Sequence, residues 1–211
     1  MIGRAKYQKS SEIGVFSKSN NEITLVPPAA SKNYKKKVKS ILETDIVETT
    51  VCNSNLIGVF VAMNDKRIIL PSTIMEHEEE TLKEYFDQVD IINTKYTAIG
   101  NLVAMNNNGI AISRFIKEDI DAPSLEVAGT TLVGSTVFTT DKGFLAHRNT
   151  KEKEIKSLEE TYKVEGKVGT INFGDPYVKN GIIGNNNGIL VGGETTGPEI
   201  NRVDEIFMLK E

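Results

Sequence analysis

Short apolar runs broken by polar turns recur along this chain in one fixed frame. In one copy Ile99-Gly100 precedes the run Leu102-Val103-Ala104-Met105, then Asn106-Asn107-Asn108-Gly109, then Ile110-Ala111-Ile112. The leading glycine stands nine residues before the end of the turn. In the same way Ile57-Gly58 leads to Asn64-Asp65-Lys66-Arg67 and Ile68-Ile69-Leu70. Val133-Gly134 leads to Thr140-Asp141-Lys142-Gly143 and Phe144-Leu145-Ala146. Ile13-Gly14 leads to Asn20-Asn21-Glu22-Ile23 and Thr24-Leu25-Val26. A fifth copy ends in Asn185-Asn186-Asn187-Gly188 and Ile189-Leu190-Val191, with Lys179 in the place of the glycine. The steps between copies are 44, 42, 34 and 45 residues. Periods of this size mark repeat architectures.

Each copy predicts a β-hairpin. The runs flanking the turn are short and rich in Val, Ile, Leu and Phe, as strands are. Asn-Asn-Gly and Asp-Lys-Gly supply residues that tolerate the positive φ of tight turns. The glycine ahead of each hairpin marks a bend or a close backbone approach. Further strand-like runs lie upstream of it, at residues 46–51, 90–94, 125–127 and 168–173. Helices are expected after most hairpins, because apolar residues fall on one helical face. These are Tyr34, Val38, Ile41 and Leu42; then Leu82, Tyr85, Phe86 and Val89; then Ile155, Leu158 and Tyr162; and last Ile200, Val203, Ile206 and Phe207. Thr73 to Glu76 reads as a capping box for the second, and Thr196-Gly197-Pro198-Glu199 as the cap of the last. The third copy has room for two helical turns at most, since Pro123 ends it.

One such unit cannot bury its own apolar face, so the copies must pack on one another. A radial arrangement leaves few open sheet edges if it closes. The expected architecture is therefore α/β, one domain over residues 1–211, with the N-terminal strand at 2–8 closing the ring beside the last unit.

Composition narrows the function. Apolar and charged fractions are those of an ordinary globular protein. No stretch is apolar for long enough to span a membrane. Met1 to Lys9 lacks the apolar core of a signal peptide, and the single Cys52 cannot form an internal disulfide, so a cytoplasmic protein is expected. Residues 1–45 carry nine Lys/Arg against four Asp/Glu, and the remainder 16 against 25. One basic stretch, Lys32 to Lys39, on an acidic body does not make the broad positive surface of a nucleic-acid binder. A solvated helix face explains that stretch. The body suits a basic protein partner better.

Several segments together resemble the translation initiation factor 6 family. They are the repeat frame, Glu12-Ile13-Gly14-Val15-Phe16, Thr97-Ala98-Ile99-Gly100-Asn101, Leu132-Val133-Gly134-Ser135 and, above all, Gly192-Gly193-Glu194-Thr195-Thr196-Gly197-Pro198-Glu199. The resemblance covers essentially the whole chain and departs from the family at Lys179 and in the short third copy. It implies a pentein fold, or αβ-propeller: five pseudo-symmetric units around a central channel, strands inside and helices outside. It implies a monomer without cofactor, metal or small-molecule substrate. The implied partner is the intersubunit face of the large ribosomal subunit, chiefly a ribosomal protein near the sarcin–ricin loop. Binding there would keep the small subunit from joining. Subunit-maturation and release factors are further implied partners.

The competing class is a pentein-fold hydrolase or amidinotransferase acting on guanidino groups, which needs a thiolate beside a base. Cys52 reads instead as a small buried core residue. His77 falls among glutamates, His147 lies just after a hairpin and has no evident role, and the three are too scattered for a metal site. No catalytic residue is expected. Gly192 to Gly197 lacks the spacing and the lysine of a phosphate loop. An RNA-binding sheet would need aromatics on a basic surface. In a radial fold, the residues beside the repeat glycine gather at one rim. Gly14, Val15, Val59, Asn101 and Ser135, with Asn180 in the fifth copy, are therefore the candidate binding residues, and the resemblance points to Asn101 most clearly.

Overall fold

The computed structural model describes residues 1–207. Its hairpins fall where the Asn-rich turns place them. Lys18–Ser19 runs antiparallel to Ile23–Val26, Ala62–Met63 to Arg67–Pro71, Val103–Met105 to Ile110–Ile112, Val137–Thr139 to Phe144–His147, and Ile182–Gly184 to Ile189–Gly192. In each turn the first side chain folds back on the chain. Asn20 Oδ1, Asn64 Oδ1, Asn106 Oδ1 and Asn185 Oδ1 each accept two backbone N–H groups of their own turn, at 2.8–3.1 Å.

After the hairpin the chain crosses in a helix and returns as a strand parallel to the second hairpin strand. Helix Lys32–Leu42 delivers Asp45–Glu48 beside Ile23–Val26; Glu76–Lys83 delivers Gln88–Ile92 beside Arg67–Pro71; Glu152–Tyr162 delivers Gly166–Gly169 beside Phe144–His147. The third copy has only the 3-10 turn Arg114–Ile116, capped by Ser113, and a single parallel bridge from Ile112 to Ser124. The last helix, Gly197–Phe207, is followed by no such strand among the described residues; Ile2–Ala5 takes that position, parallel to Ile189–Gly192. The described residues thus form five small sheets, and none closes into a barrel.

The core is divided in the same way. Val38 and Leu42 pack with Ala5, Tyr7 and Leu190; Leu82 and Phe86 with Leu25, Ile57 and Leu70; Leu158 and Tyr162 with Ala104, Val133 and Phe144; Val203 and Phe207 with Phe138, Leu145 and Val191. Each cluster joins residues of successive copies, so no copy buries its apolar face alone.

Three local expectations change. The return strands start earlier than the apolar runs suggested and stop short of Val51 and Phe173, because a tight turn takes those residues. The second helix ends at Lys83, so Tyr85 leaves the apolar face and is exposed, and Val89 joins the return strand. Its cap is Glu78 rather than the Thr73–Glu76 box: Glu78 Oε2 accepts from Met75 N at 3.1 Å, while Thr73 Oγ1 turns to Cys52 Sγ at 3.2 Å. The Thr196 cap of the last helix stands as expected, with Thr196 N and Oγ1 both donating to Glu199.

Candidate functional site

Each repeat glycine is the second residue of a single helical turn: Ile13–Phe16, Ile57–Phe60, Ile99–Leu102 and Val133–Thr136. The fifth is the 3-10 turn Val178–Gly181, with Lys179 second. The turns pack successively on one another. A Cβ on Gly58 would lie 1.9 Å from Gly14 O, one on Gly100 2.1 Å from Gly58 O, and one on Gly134 2.4 Å from Gly100 O. A Cβ on Gly14 would lie 2.0 Å from Lys179 O. The turn at 133–136 packs in turn against 178–181. The glycines are therefore contacts between backbones, which is the close approach rather than the bend.

The candidate binding residues follow from this. Val15, Val59, Asn101, Ser135 and Asn180 are each the third residue of their turn, so they occupy equivalent places and none begins a strand. Val15, Val59, Asn101 and Asn180 are half-buried, whereas Ser135 is buried and Gly14 is covered by Lys179 and Ile182. The amide of Asn101 has no hydrogen-bond partner among the described residues; only its backbone N–H is engaged, with Ala98 O at 2.9 Å.

Just ahead of each helical turn, except in the third copy, the chain makes a tight turn with left-handed residues. These are Gln8 and Lys9; Cys52 and Asn53; Ala128 and Gly129; and Asn172, Phe173 and Gly174. Glutamates from the following helix hold three of them, Glu78 and Glu199 buried and Glu154 half-buried. Glu78 accepts from Cys52 N and Asn53 N, Glu154 from Ala128 N, and Glu199 from Phe173 N and Gly174 N. Burial alone would raise the carboxyls of Glu78 and Glu199, but their hydrogen bonds outweigh it and hold both below the usual glutamate range. These segments also carry exposed apolar side chains: Phe173 is 82% exposed, and Leu56 and Tyr177 are both 37% exposed. Sequence reasoning passed over them. Phe173 looked like the end of a strand, and no glycine announced its φ of 65°.

At the junction of first and last copies, Asn172 Nδ2 donates to Ser11 O at 2.9 Å and to Glu12 Oε1 at 3.1 Å. Burial pushes the Glu12 carboxyl up; the Asn172 bond opposes this, and Asp175 and Glu194 reinforce it.

The hairpin turns make a second ring. Asp65 Oδ2 accepts from Asn21 Nδ2 at 2.7 Å and Asn107 Nδ2 at 2.6 Å, and Asp141 Oδ2 accepts from Asn107 Nδ2 and Asn186 Nδ2, both at 2.7 Å. Asn186 N closes the cycle on Asn21 Oδ1 at 2.9 Å. Inside it lies a cavity of about 40 Å³ lined by these turns and by Lys18 and Lys179.

Cys52 is not fully buried, although it packs against the core cluster of Leu25, Ile57 and Leu82. It is half-buried in its tight turn, with Thr73 and Glu78 as polar neighbours. Burial raises its thiol above the ordinary value; the Thr73 bond lowers it, and the charge of Glu78 adds to the rise. This is opposite to the activation a thiolate nucleophile needs. His77 is exposed; His147 is buried at the end of a strand, edge-on to Tyr177, with Nδ1 accepting from Asn149 N. No group of three or more His, Cys, Asp or Glu could hold a metal ion, and no helix is long and apolar enough to cross a membrane, among the described residues.

Comparison with known proteins matches residues 2–206 to the model of the eIF-6 family. Translation initiation factor 6 of Saccharolobus islandicus is 36% identical over 206 residues, covering 92% of each chain. The protein of that name from Pyrobaculum aerophilum is 36% identical over 208 residues, covering 94% of each, and that of Pyrococcus abyssi 32% over 224 residues, covering 99% of each. The matched residues take in the glycine turns and the Asn-rich hairpins, and the chain belongs to the eIF-6 family.

Proposed function

We propose that this chain is a cytoplasmic translation initiation factor that binds the large ribosomal subunit and sterically prevents the small subunit from joining. Its fold in this reading is one pentein domain of five αβ units around a central channel. The closed cycle of hairpin turns and the pairing of Ile2–Ala5 with Ile189–Gly192 support that reading. The rim formed by the third residues of the glycine turns faces the intersubunit surface, and its main contact is a ribosomal protein near the sarcin–ricin loop. Maturation and release factors act on the same complex.

The observation that carries the proposal is Asn101. Its amide makes no hydrogen bond within the fold and keeps contact with solvent, so its donors and acceptor are open to a binding partner. Half-buried Val15 and Val59 at the equivalent places offer the apolar contact around it. A steric blocker acts once per subunit and calls for no catalytic group, which agrees with the raised thiol of Cys52. The test is co-sedimentation of the monomeric protein with separated subunits. Binding to the large subunit alone, with fewer joined ribosomes at fixed magnesium, is expected. Equal binding to both subunits, or to neither, would overturn the proposal.

A further inference from the structure

The channel cavity holds two lysine side chains and no carboxylate that pairs with them. Lys179 stands where the other copies carry Gly14, Gly58, Gly100 and Gly134, and its side chain, 3% exposed, runs across the centre so that Nζ donates to the carbonyl of Gly58. Lys18, from the first hairpin, lines the same space and has neither an ion pair nor a hydrogen bond for its ammonium group among the described residues. The other charged groups on the cavity wall are Asp65 and Asp141. Both are committed to the outer ring, where Asn21, Asn107 and Asn186 supply their donors.

We propose that this cavity is a binding site for one small oxyanion, held between the ammonium groups of Lys18 and Lys179. Size sets the ligand class. A cavity of about 40 Å³ has room for about three waters, at roughly 10–15 Å³ each. That suits inorganic phosphate or an anion of its size and excludes a nucleotide or a peptide.

Electrostatics agrees with this placement. Burial pulls the Lys179 ammonium well below the ordinary lysine value, and the neighbouring charge of Lys18 pulls it further. Burial brings Lys18 down to about 8. An empty cavity therefore favours losing a proton from this pair, while an anion between them restores both charges. Binding takes up protons, and affinity falls as the pH rises through about 8.

The test is calorimetric titration of the full chain with inorganic phosphate at about pH 7, against chloride at equal ionic strength, with melting curves in parallel. Saturable binding of one phosphate per chain, a rise in melting temperature that chloride does not give, and a heat that varies with the ionisation enthalpy of the buffer are expected. Sulfate is expected to compete. Lys179→Gly restores the residue type of the other copies, and Lys18→Met keeps the stem without the charge. Each is expected to keep the wild-type circular dichroism and to bind phosphate at least tenfold more weakly. Absence of saturable binding in the wild-type protein, or equal binding by both variants, would overturn the site. If Lys179→Gly does not fold, Lys18→Met alone decides, because its ammonium makes no hydrogen bond that folding requires.

Discussion

Asn185 Nδ2 donates to the backbone carbonyls of Asn20 and Leu42, both at 2.9 Å, across 165 and 143 residues of chain. Asn20, Asn64 and Asn106 do the same to the next turn along, donating to Asn64 O, Asn106 O and Thr140 O at 3.0–3.1 Å. The bond from Asn185 back to Asn20 therefore joins the last copy to the first. Local turn chemistry and long-range closure use the same side chain, since Asn185 Oδ1 caps its own turn.

Closure also depends on the strand Ile2–Ala5. Removing residues 1–8 would leave Ile189–Gly192 with an open edge and take Ala5 and Tyr7, which are 6% and 2% exposed, out of the core. Losing a buried aromatic and its neighbours costs about 4 kcal/mol. For a chain of this length that corresponds to a fall in melting temperature of about 10 °C. The truncated protein is also expected to self-associate through the edge. A melting curve and a sedimentation run check both outcomes; an unchanged midpoint would dismiss the closing role.

The glycine turns allow a sharper comparison. Gly58→Ala places a methyl group 1.9 Å from Gly14 O, a contact that only backbone movement can relieve. Overpacking of this kind costs about 3 kcal/mol. Gly197→Ala, by contrast, meets nothing within 4 Å at the start of the last helix. Alanine is the better helix former, so that variant should gain about 0.5 kcal/mol. Urea midpoints of the two variants should move in opposite directions. Equal shifts would mean that the glycine turns tolerate side chains after all.

Acid stability should pass through Glu199. Its carboxylate accepts from Thr170 Oγ1 at 2.7 Å, Thr196 N at 2.8 Å and Gly174 N at 2.9 Å. Burial raises its pKa and these bonds outweigh the rise, so the folded value lies below the ordinary 4.5. A carboxyl depressed in the folded state stabilises it above the unfolded pKa, and that contribution is lost as the pH falls through the folded value. Glu199→Gln should therefore be less stable than wild type at about pH 7, and the gap should narrow below about pH 4.5. Denaturant midpoints at several pH values measure it; a gap that stays constant would remove Glu199 from the acid transition.

The hairpins were readable because Asn106, Asn185 and their equivalents act on their own turns, so the signal is local. The crowding of Gly14, Gly58, Gly100 and Gly134 was readable as one glycine per copy, although its cause, the backbone of the preceding copy, lies more than thirty residues away in sequence. What stayed hidden depends on contacts the sequence does not mark. Cys52 and Phe173 adopt left-handed backbone without being glycine or asparagine, because Glu78 and Glu199 hold the amide groups there. Lys179 was visible as a departure from the repeat, but not its meeting with Lys18 in one cavity, since 161 residues separate them. Asn101 was singled out through the resemblance, and no partner for its amide lies among the described residues.

Asn101 is also where binding and folding separate. Its backbone belongs to the glycine ring, since a Cβ on Gly134 would approach Asn101 C to 2.8 Å, but its side chain contributes no hydrogen bond to the fold. Replacing it should leave stability within about 0.5 kcal/mol of wild type, the usual range for positions without buried partners. Interface energy is concentrated in a few central residues, each worth about 2 kcal/mol or more. Asn101→Arg puts a longer, charged side chain at the centre of the proposed rim and removes the amide. Its affinity for the large subunit should fall by about thirtyfold, the equivalent of 2 kcal/mol. Val59→Glu, at the equivalent place two turns of the cycle away from Ser135, should weaken binding in the same direction by charging an apolar contact. Each variant needs a melting curve beside its co-sedimentation. Weakened binding with an unchanged melting temperature places the interface at this rim. Unchanged binding by both moves it elsewhere, first to the basic helix Lys32–Leu42, where Lys32 and Lys36 have no acidic partner among the described residues while Lys35 and Lys39 are paired with Glu48 and Asp45.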